Sequence, residues 1–283
     1  MLKIHRTFRG KTAQDAEKGN ANELLQRILI EVVTENYRQM MFEYQALEPE
    51  FKQDALTLLD PPLRANEKVI SGLFSNAISR IAPRSRPEAR IDRSEILIAS
   101  EMANKEDDFS DGNPPEKIKH GRVDYLAWYS NRVFAIELKS APMNCENPKA
   151  TQTIKDRWRD VIQQTNGVQK HLKKLVKSDQ SRYPSPISIG IMAIVGRRSI
   201  NRKNESISAA SEDEFIQTLV NGLKKIQMPS FQATYTFPEN INKLIPRKKG
   251  RPDPKNQRLI YTPYIAFLGY SSVSPGSGPT STK

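Results

Sequence analysis

Three residues near the middle of the chain have the types and spacing to do chemistry. Asp124 lies in the run Arg122–Tyr129 (RVDYLAWY), and Glu137 and Lys139 lie in Arg132–Ser140 (RVFAIELKS). Both runs are rich in β-branched and aromatic residues, and only Ser130-Asn131 separates them, so they read as two strands joined by a tight turn. Side chains alternate along a strand, so Glu137 and Lys139 share one face while Phe134, Ile136 and Leu138 take the other. Asp124, Leu126 and Trp128 share a face of the preceding strand. With a two-residue loop, Tyr129 pairs with Arg132. Counting back, Trp128 faces Val133, Leu126 faces Ala135, and Asp124 faces Glu137. A four-residue loop centred there keeps this register, whereas a three-residue loop breaks it.

Directly opposed side chains sit about 4.5–5.5 Å apart at Cβ. Two carboxylates at that distance repel by roughly 3 kcal/mol at an effective dielectric of about 20. Three remedies exist: one acid keeps its proton, Lys139 and Arg122 neutralise the pair, or a divalent cation lies between them. Hard oxygen ligands of this kind suit Mg²⁺, which often takes one or two carboxylates plus substrate phosphates. An ExK triplet by itself is also what a solvated strand edge looks like. The apolar flanks and the opposed aspartate set this one apart.

The elements that must position these residues follow from periodicity. Apolar residues from Leu25 to Tyr44 recur at helical spacing, predicting a helix over 22–47 after a frayed polar stretch 1–19. A short helical stretch is expected around 51–59, and a third helix from an Asn66 N-cap to the residues before Pro83. Glu95–Ser100 (EILIAS) reads as a strand and 104–119 as a loop. The hairpin at 122–140 follows, then a long helix over 151–177. Ile187–Val195 (ISIGIMAIV) is nearly continuous in apolar residues, as in a strand buried on both faces. A helix over 212–227 and strands at 231–237 and 264–270 complete the order. The class expected is α/β, a mixed sheet flanked by helices. The divisions are a helical section 1–62, a domain 63–270, and a disordered tail 271–283 of low apolar content.

The motifs VDYLAW (123–128) and FAIELK (134–139) resemble the core signature of the PD-(D/E)xK nucleases, the restriction-endonuclease-like superfamily. Val123 stands where proline would. The resemblance runs from the helix at Asn66 to the strand ending at Val195. It implies phosphodiester hydrolysis dependent on Mg²⁺, with Mn²⁺ as a substitute. Asp124 and Glu137 would be metal ligands, with the backbone carbonyl of Leu138 as a third. Lys139 would orient or deprotonate the attacking water, or stabilise the transition state. The family often adds an acid from the helix before the sheet. Glu67 fits that role, although an acid in a first helical turn is also favoured by the helix dipole, and Glu35 competes. The family's helix after the third strand often supplies a glutamine; Gln163, Gln164 and Gln169 are present, and spacing does not choose among them. Trp158 reads as core rather than as a base-stacking residue. His5, His120 and His171 show no ligand or triad spacing.

Charge points to the partner. Forty-four Lys and Arg against 32 Asp and Glu give +12, a balance that favours a polyanion, because each phosphate neutralised releases counterions. Nucleic acid is expected, DNA ahead of RNA. The segment 246–252 (PRKKGRP) looks like an AT-hook, with a plain basic loop touching phosphates as the alternative. Arg197, Arg198, Arg202 and Lys203, just after the buried strand, are another candidate phosphate contact, with a solvated loop as the alternative. The start of the chain lacks an apolar signal core and Cys145 is the lone cysteine, so a cytoplasmic protein is expected, with no membrane span and no structural zinc. Double-strand cutting often needs two sites, which leaves a homodimer or a protein partner open. The rival class is a non-catalytic nucleic-acid-binding protein on a nuclease-like fold.

Overall fold

The computed structural model describes residues 1–7, 14–45, 67–82, 84–90, 122–130, 132–176, 186–201, 209–238, 243–244, 247–248, 251–252 and 258–272. In chain order these form β1 (Leu2–Arg6), α1 (Gln14–Gln45), α2 (Glu67–Ile81), β2 (Ser85–Arg90), β3 (Arg122–Tyr129), β4 (Arg132–Asn144) and α3 (Gln152–Val176). Then come β5 (Ile187–Asn201), α4 (Glu212–Leu223), β6 (Phe231–Thr236), β7 (Lys243–Leu244), β8 (Arg247–Lys248), β9 (Arg251–Pro252), β10 (Arg258–Tyr261) and β11 (Tyr264–Ser271). The main sheet runs β1-β6-β11-β5-β4-β3-β2, with β10 and β7 added beside β5. Among the described strands only β4 and β5 pair in parallel, so the sheet is mixed. None of the described helices is long and apolar enough to cross a membrane.

Alternation along the strands divides the core. Ile136, Ile189, Ile191 and Phe267 face α1 and α2, whose Leu25, Ile28, Val32, Ile70, Phe74 and Ala77 pack on them. Met192, Ile194, Ala266 and Leu268 face α3 and α4 and meet Ile154, Trp158, Val161, Phe215 and Leu219. A smaller cluster joins Leu126, Val133 and Ala135 to Val168 and Leu172 of α3. Both faces are therefore covered, which accounts for the continuous apolar run in β5. α4 opens on Ser211, whose hydroxyl accepts the Glu214 amide, with three acids in the first turn to complement the dipole.

Several expectations need correction. The first residues are not frayed: Leu2–Arg6 pairs antiparallel with β6, and the terminal ammonium donates to Thr236 O at 2.6 Å. An edge strand needs only one partner, so five residues without a clear apolar pattern suffice. The neighbour of β3 is Ser85–Arg90, a segment whose Pro87 argues against a central strand but is tolerated at the sheet edge where β2 lies. β5 continues to Asn201, so Arg197 and Arg198 belong to a strand rather than a loop. Val69 of α2 stands apart from the buried stripe and is 41% exposed. The expected helix at 51–59, strand at 95–100 and loop at 104–119, together with Arg202, Lys203, His120 and the tail beyond 272, lie outside the described residues.

Gly190 sets how closely α3 approaches the sheet. A Cβ there would land on Thr165 Oγ1 and Val161 Cγ1, closer than real contacts allow. Both are short branched side chains, and the Thr165 hydroxyl is already donating to Val161 O at 2.6 Å. Neither can swing aside. Gly190→Ala should therefore lower stability by about 1–3 kcal/mol through overpacking. The check is the thermal unfolding midpoint, and an unchanged midpoint would show that α3 can shift without cost.

Candidate active site

The β3–β4 hairpin has the register the sequence implied: Tyr129 opposite Arg132, Trp128 opposite Val133, Leu126 opposite Ala135, and Tyr125 opposite Ile136. The tight connection places Ser130 at φ 48°, a left-handed conformation common in two-residue hairpin loops. One step further, where Asp124 and Glu137 would oppose, the ladder stops. On its other edge, β3 also loses pairing at Asp124. The contacts with β2 pass from Pro87–Tyr125 to Ala89–Val123, skipping Glu88, which has φ 47°. Asp124 thus sits where its strand is released on both sides.

That release leaves β4 amides without strand partners, and acids take them. Leu138 N–H donates to Asp124 Oδ2 at 2.7 Å, and Ser140 N–H donates to Glu67 Oε2 at 3.0 Å. Glu67 arrives from the first turn of α2. It also lies 3.9 Å from Arg157 Nη1 of α3, a loose, half-exposed pairing. The position of α2 is held one turn later, where Tyr125 donates its hydroxyl to Ser71 O at 2.7 Å. Burial and the acids nearby push that phenol far above its usual range. Tyr125 is the residue after Asp124, so one strand carries both an acid of the site and the anchor of the helix that delivers Glu67.

Glu137 is 5% exposed. Burial raises its pKa to about 8, the negative charge of Asp124 and a hydrogen bond to it add to the rise, and Lys139 opposes it. Near neutral pH the repulsion between the two carboxylates is therefore relieved by a retained proton. Lys139 is half-buried on the same face of β4, two residues along. Beside Glu137 in the parallel pairing stands Gly190. The close seat of α3 over that glycine helps keep the carboxyl group out of water.

The donors present fit one kind of cation. Asp124 and Glu137 bring two hard oxygen ligands into contact. Leu138 adds a carbonyl on the same side of β4 as the amide Asp124 receives, because a strand residue sends its N–H and C=O the same way. Among the described residues no group of three or more Asp, Glu, His or Cys is gathered closely enough to hold an ion. Glu67 reaches the same strand but spends its carboxylate on Ser140. Such a set suits Mg²⁺ or Mn²⁺, which keep much of their shell for water and phosphate oxygens, and not an ion enclosed by protein.

No protein-family model, no curated protein and no solved structure matches this chain.

The remaining candidates separate cleanly. Gln169 is structural: its amide donates to Pro186 O at 2.9 Å and accepts from Ser188 N at 2.7 Å, tying α3 to the start of β5. Gln163 is exposed. Gln164 has a buried Oε1 with no hydrogen-bond partner among the described residues. Glu35 pairs with Arg80 at 2.8 Å, joining α1 to α2. Trp158 is wholly buried and donates to Gln227 O at 2.9 Å, as a core residue should. His5 meets Thr234 and Glu212 at the opposite edge of the sheet. The segment likened to an AT-hook is not a single extended peptide, because β8 and β9 fold it into a hairpin. Sequence reasoning missed Gly190 and the Tyr125–Ser71 anchor. A glycine inside an apolar strand is a signal of close backbone approach and could have found the first. Nothing local marks the second.

Proposed function

We propose that this protein is a metal-dependent nuclease with a restriction-endonuclease-like core, acting on DNA. The supporting observation is the contact between the carboxyl groups of Asp124 and Glu137 where strand pairing stops, with Lys139 beside them on the same face. In this reading Asp124, Glu137 and the Leu138 carbonyl hold a divalent cation. The ion supplies Lewis-acid stabilisation of the charge that grows on the phosphate and a lowered pKa for water. Lys139 places a donor where negative charge develops and can orient the attacking water. Glu67 holds Ser140 and so fixes β4 just beyond Lys139. The net charge of +12 supplies attraction for the substrate backbone.

A second reading has an observation of its own. Asp124 and Glu67 both cap backbone amides, a task that needs no reaction, and a nucleic-acid-binding protein without activity would keep it. One experiment separates the two. Purified protein is incubated with plasmid, linear duplex and single-stranded DNA, with Mg²⁺, Mn²⁺ or EDTA, beside Lys139→Ala. The nuclease reading expects cutting with metal only, reduced by about 10²–10³-fold in the variant. Equal cutting by both proteins would mean contamination and would end that reading. Salt-sensitive binding without cutting would support the second.

A further inference from the structure

We infer that Arg157 of α3 is the second cation of the candidate active site and binds the DNA phosphate next to the one that Lys139 meets. The inference rests on the nuclease reading of the site and names a substrate contact within it. The fold brings Arg157 there. β4 and β5 are parallel and α3 connects them, so α3 runs back against the direction of both strands. Its Val161 seats over Gly190, which pairs with Glu137. Arg157 is one helical turn earlier, about 6 Å, and two residues of strand cover nearly the same length. That step along β4 leads from Glu137 to Lys139. The ion pair agrees with it: Arg157 Nη1 lies 3.9 Å from Glu67 Oε2, the oxygen that accepts the Ser140 amide.

The pairing with Glu67 is weak. At 3.9 Å no hydrogen bond joins the two groups, and their side chains are 45% and 38% exposed. Arg80 and Arg198, by contrast, close on Glu35 and Glu146 at 2.8 and 2.7 Å. Glu67 keeps the Ser140 amide when Arg157 turns away, so β4 stays fixed. A phosphate holds a guanidinium better than so loose a carboxylate, because two of its oxygens can take parallel hydrogen bonds. Formal charge leads the same way. Once a divalent ion displaces the Glu137 proton, that ion and Lys139 just offset Asp124, Glu137 and Glu67. Arg157 then makes the site positive by one, which a phosphate balances. In the nuclease reading Lys139 meets the phosphate being cut. Arg157, level with Lys139 and Ser140 but on the helix side, stands beyond it, where the neighbouring phosphate passes.

The test separates binding from cutting. Labelled duplex DNA is titrated in EDTA over a range of salt with wild type, Arg157→Gln, Arg157→Lys and Arg159→Gln. Steady-state cleavage with Mg²⁺ is measured on the same preparations. Arg159 is the control: it pairs with Asp156 on its own helix, roughly 200° around from Arg157. Arg157→Gln should weaken binding about 10-fold at low salt. It should also lower the slope of log K against log salt by about 0.9, the loss of one phosphate contact. Its KM should rise while kcat stays within about 2-fold of wild type. Arg157→Lys should keep the wild-type slope, and Arg159→Gln should match wild type throughout. A half-exposed ion pair adds little stability, so unfolding midpoints should agree across the set. An unchanged slope in Arg157→Gln overturns the proposal. An equal fall in Arg159→Gln overturns it too, since a diffuse field would then replace the contact, and so does a fall in kcat at constant KM, which would put Arg157 on the reacting phosphate. If wild type cuts and Arg157→Gln binds and cuts alike, this proposal falls and the nuclease reading stands. If the slope changes as expected but wild type never cuts with Mg²⁺, the phosphate contact stands and the nuclease reading falls.

Discussion

Asp124→Asn is expected to fold normally and to lose at least about 10²-fold in metal-dependent cleavage, the range seen when a directed electrostatic group is removed. The choice of asparagine matters. Its Oδ1 still accepts the Leu138 N–H that Asp124 takes at 2.7 Å, so the β4 backbone keeps its partner while the ligand charge disappears. Asp124→Ala would instead leave that amide orphaned, costing about 1–3 kcal/mol, and confuse lost chemistry with lost structure. Initial cleavage rates with Mg²⁺ and the thermal midpoint should be read on the same preparations. A folded Asp124→Asn protein that cuts within a few-fold of wild type would show that residue 124 is only a cap.

The second large effect is on stability. Glu137 has a pKa of about 8 in the fold, raised above the ordinary carboxylate value of about 4.3. The native state thus holds a proton that the unfolded chain has released. Metal-free stability from this group is greatest below the unfolded pKa, falls as pH climbs from about 4.5 to 8, and levels off above the folded pKa. A shift of that size corresponds to about 5 kcal/mol, an upper bound for a group that can relax toward water. Glu137→Gln removes the ionisation and should flatten this dependence, leaving the variant more stable than wild type at pH 9 although inactive. Added Mg²⁺ should raise the wild-type midpoint most at high pH, where the proton no longer competes for the same oxygens, and should do little for the variant. Urea or thermal unfolding in EDTA across pH 5–9 provides the check. Parallel wild-type and Glu137→Gln curves would show that residue 137 is not the buried acid described here.

Part of this was legible in the residues. The alternation of RVFAIELKS sets Glu137 and Lys139 on one face whatever the rest of the chain does, because strand periodicity is a local property. A two-residue loop at Ser130-Asn131 sets the register that points Asp124 toward Glu137, and the pairs from Tyr129–Arg132 to Tyr125–Ile136 follow it. Trp158, on the apolar stripe of its helix, is core as that spacing implies. The buried strand is marked by the nearly continuous apolar run ISIGIMAIV at 187–195. Less legible were the two edge strands. Leu2–Arg6 and Ser85–Arg90 are too polar and short to stand out, and each forms only because one partner strand offers it hydrogen bonds.

By itself, then, the sequence determined which side chains could meet across one hairpin, since a two-residue turn and strand alternation together set the register. Only the tertiary structure decided what that meeting means electrostatically. The raised pKa of Glu137 requires burial, and α3, from a separate part of the chain, contributes by seating closely over Gly190. Glu67 reaches Ser140 because a tyrosine beside Asp124 holds α2 at Ser71, 54 residues away. β10 joins the sheet because Arg258–Tyr261 returns to pair with the end of β5. Burial and docking depend on contacts between distant segments, and no local pattern of residues encodes which segments those will be.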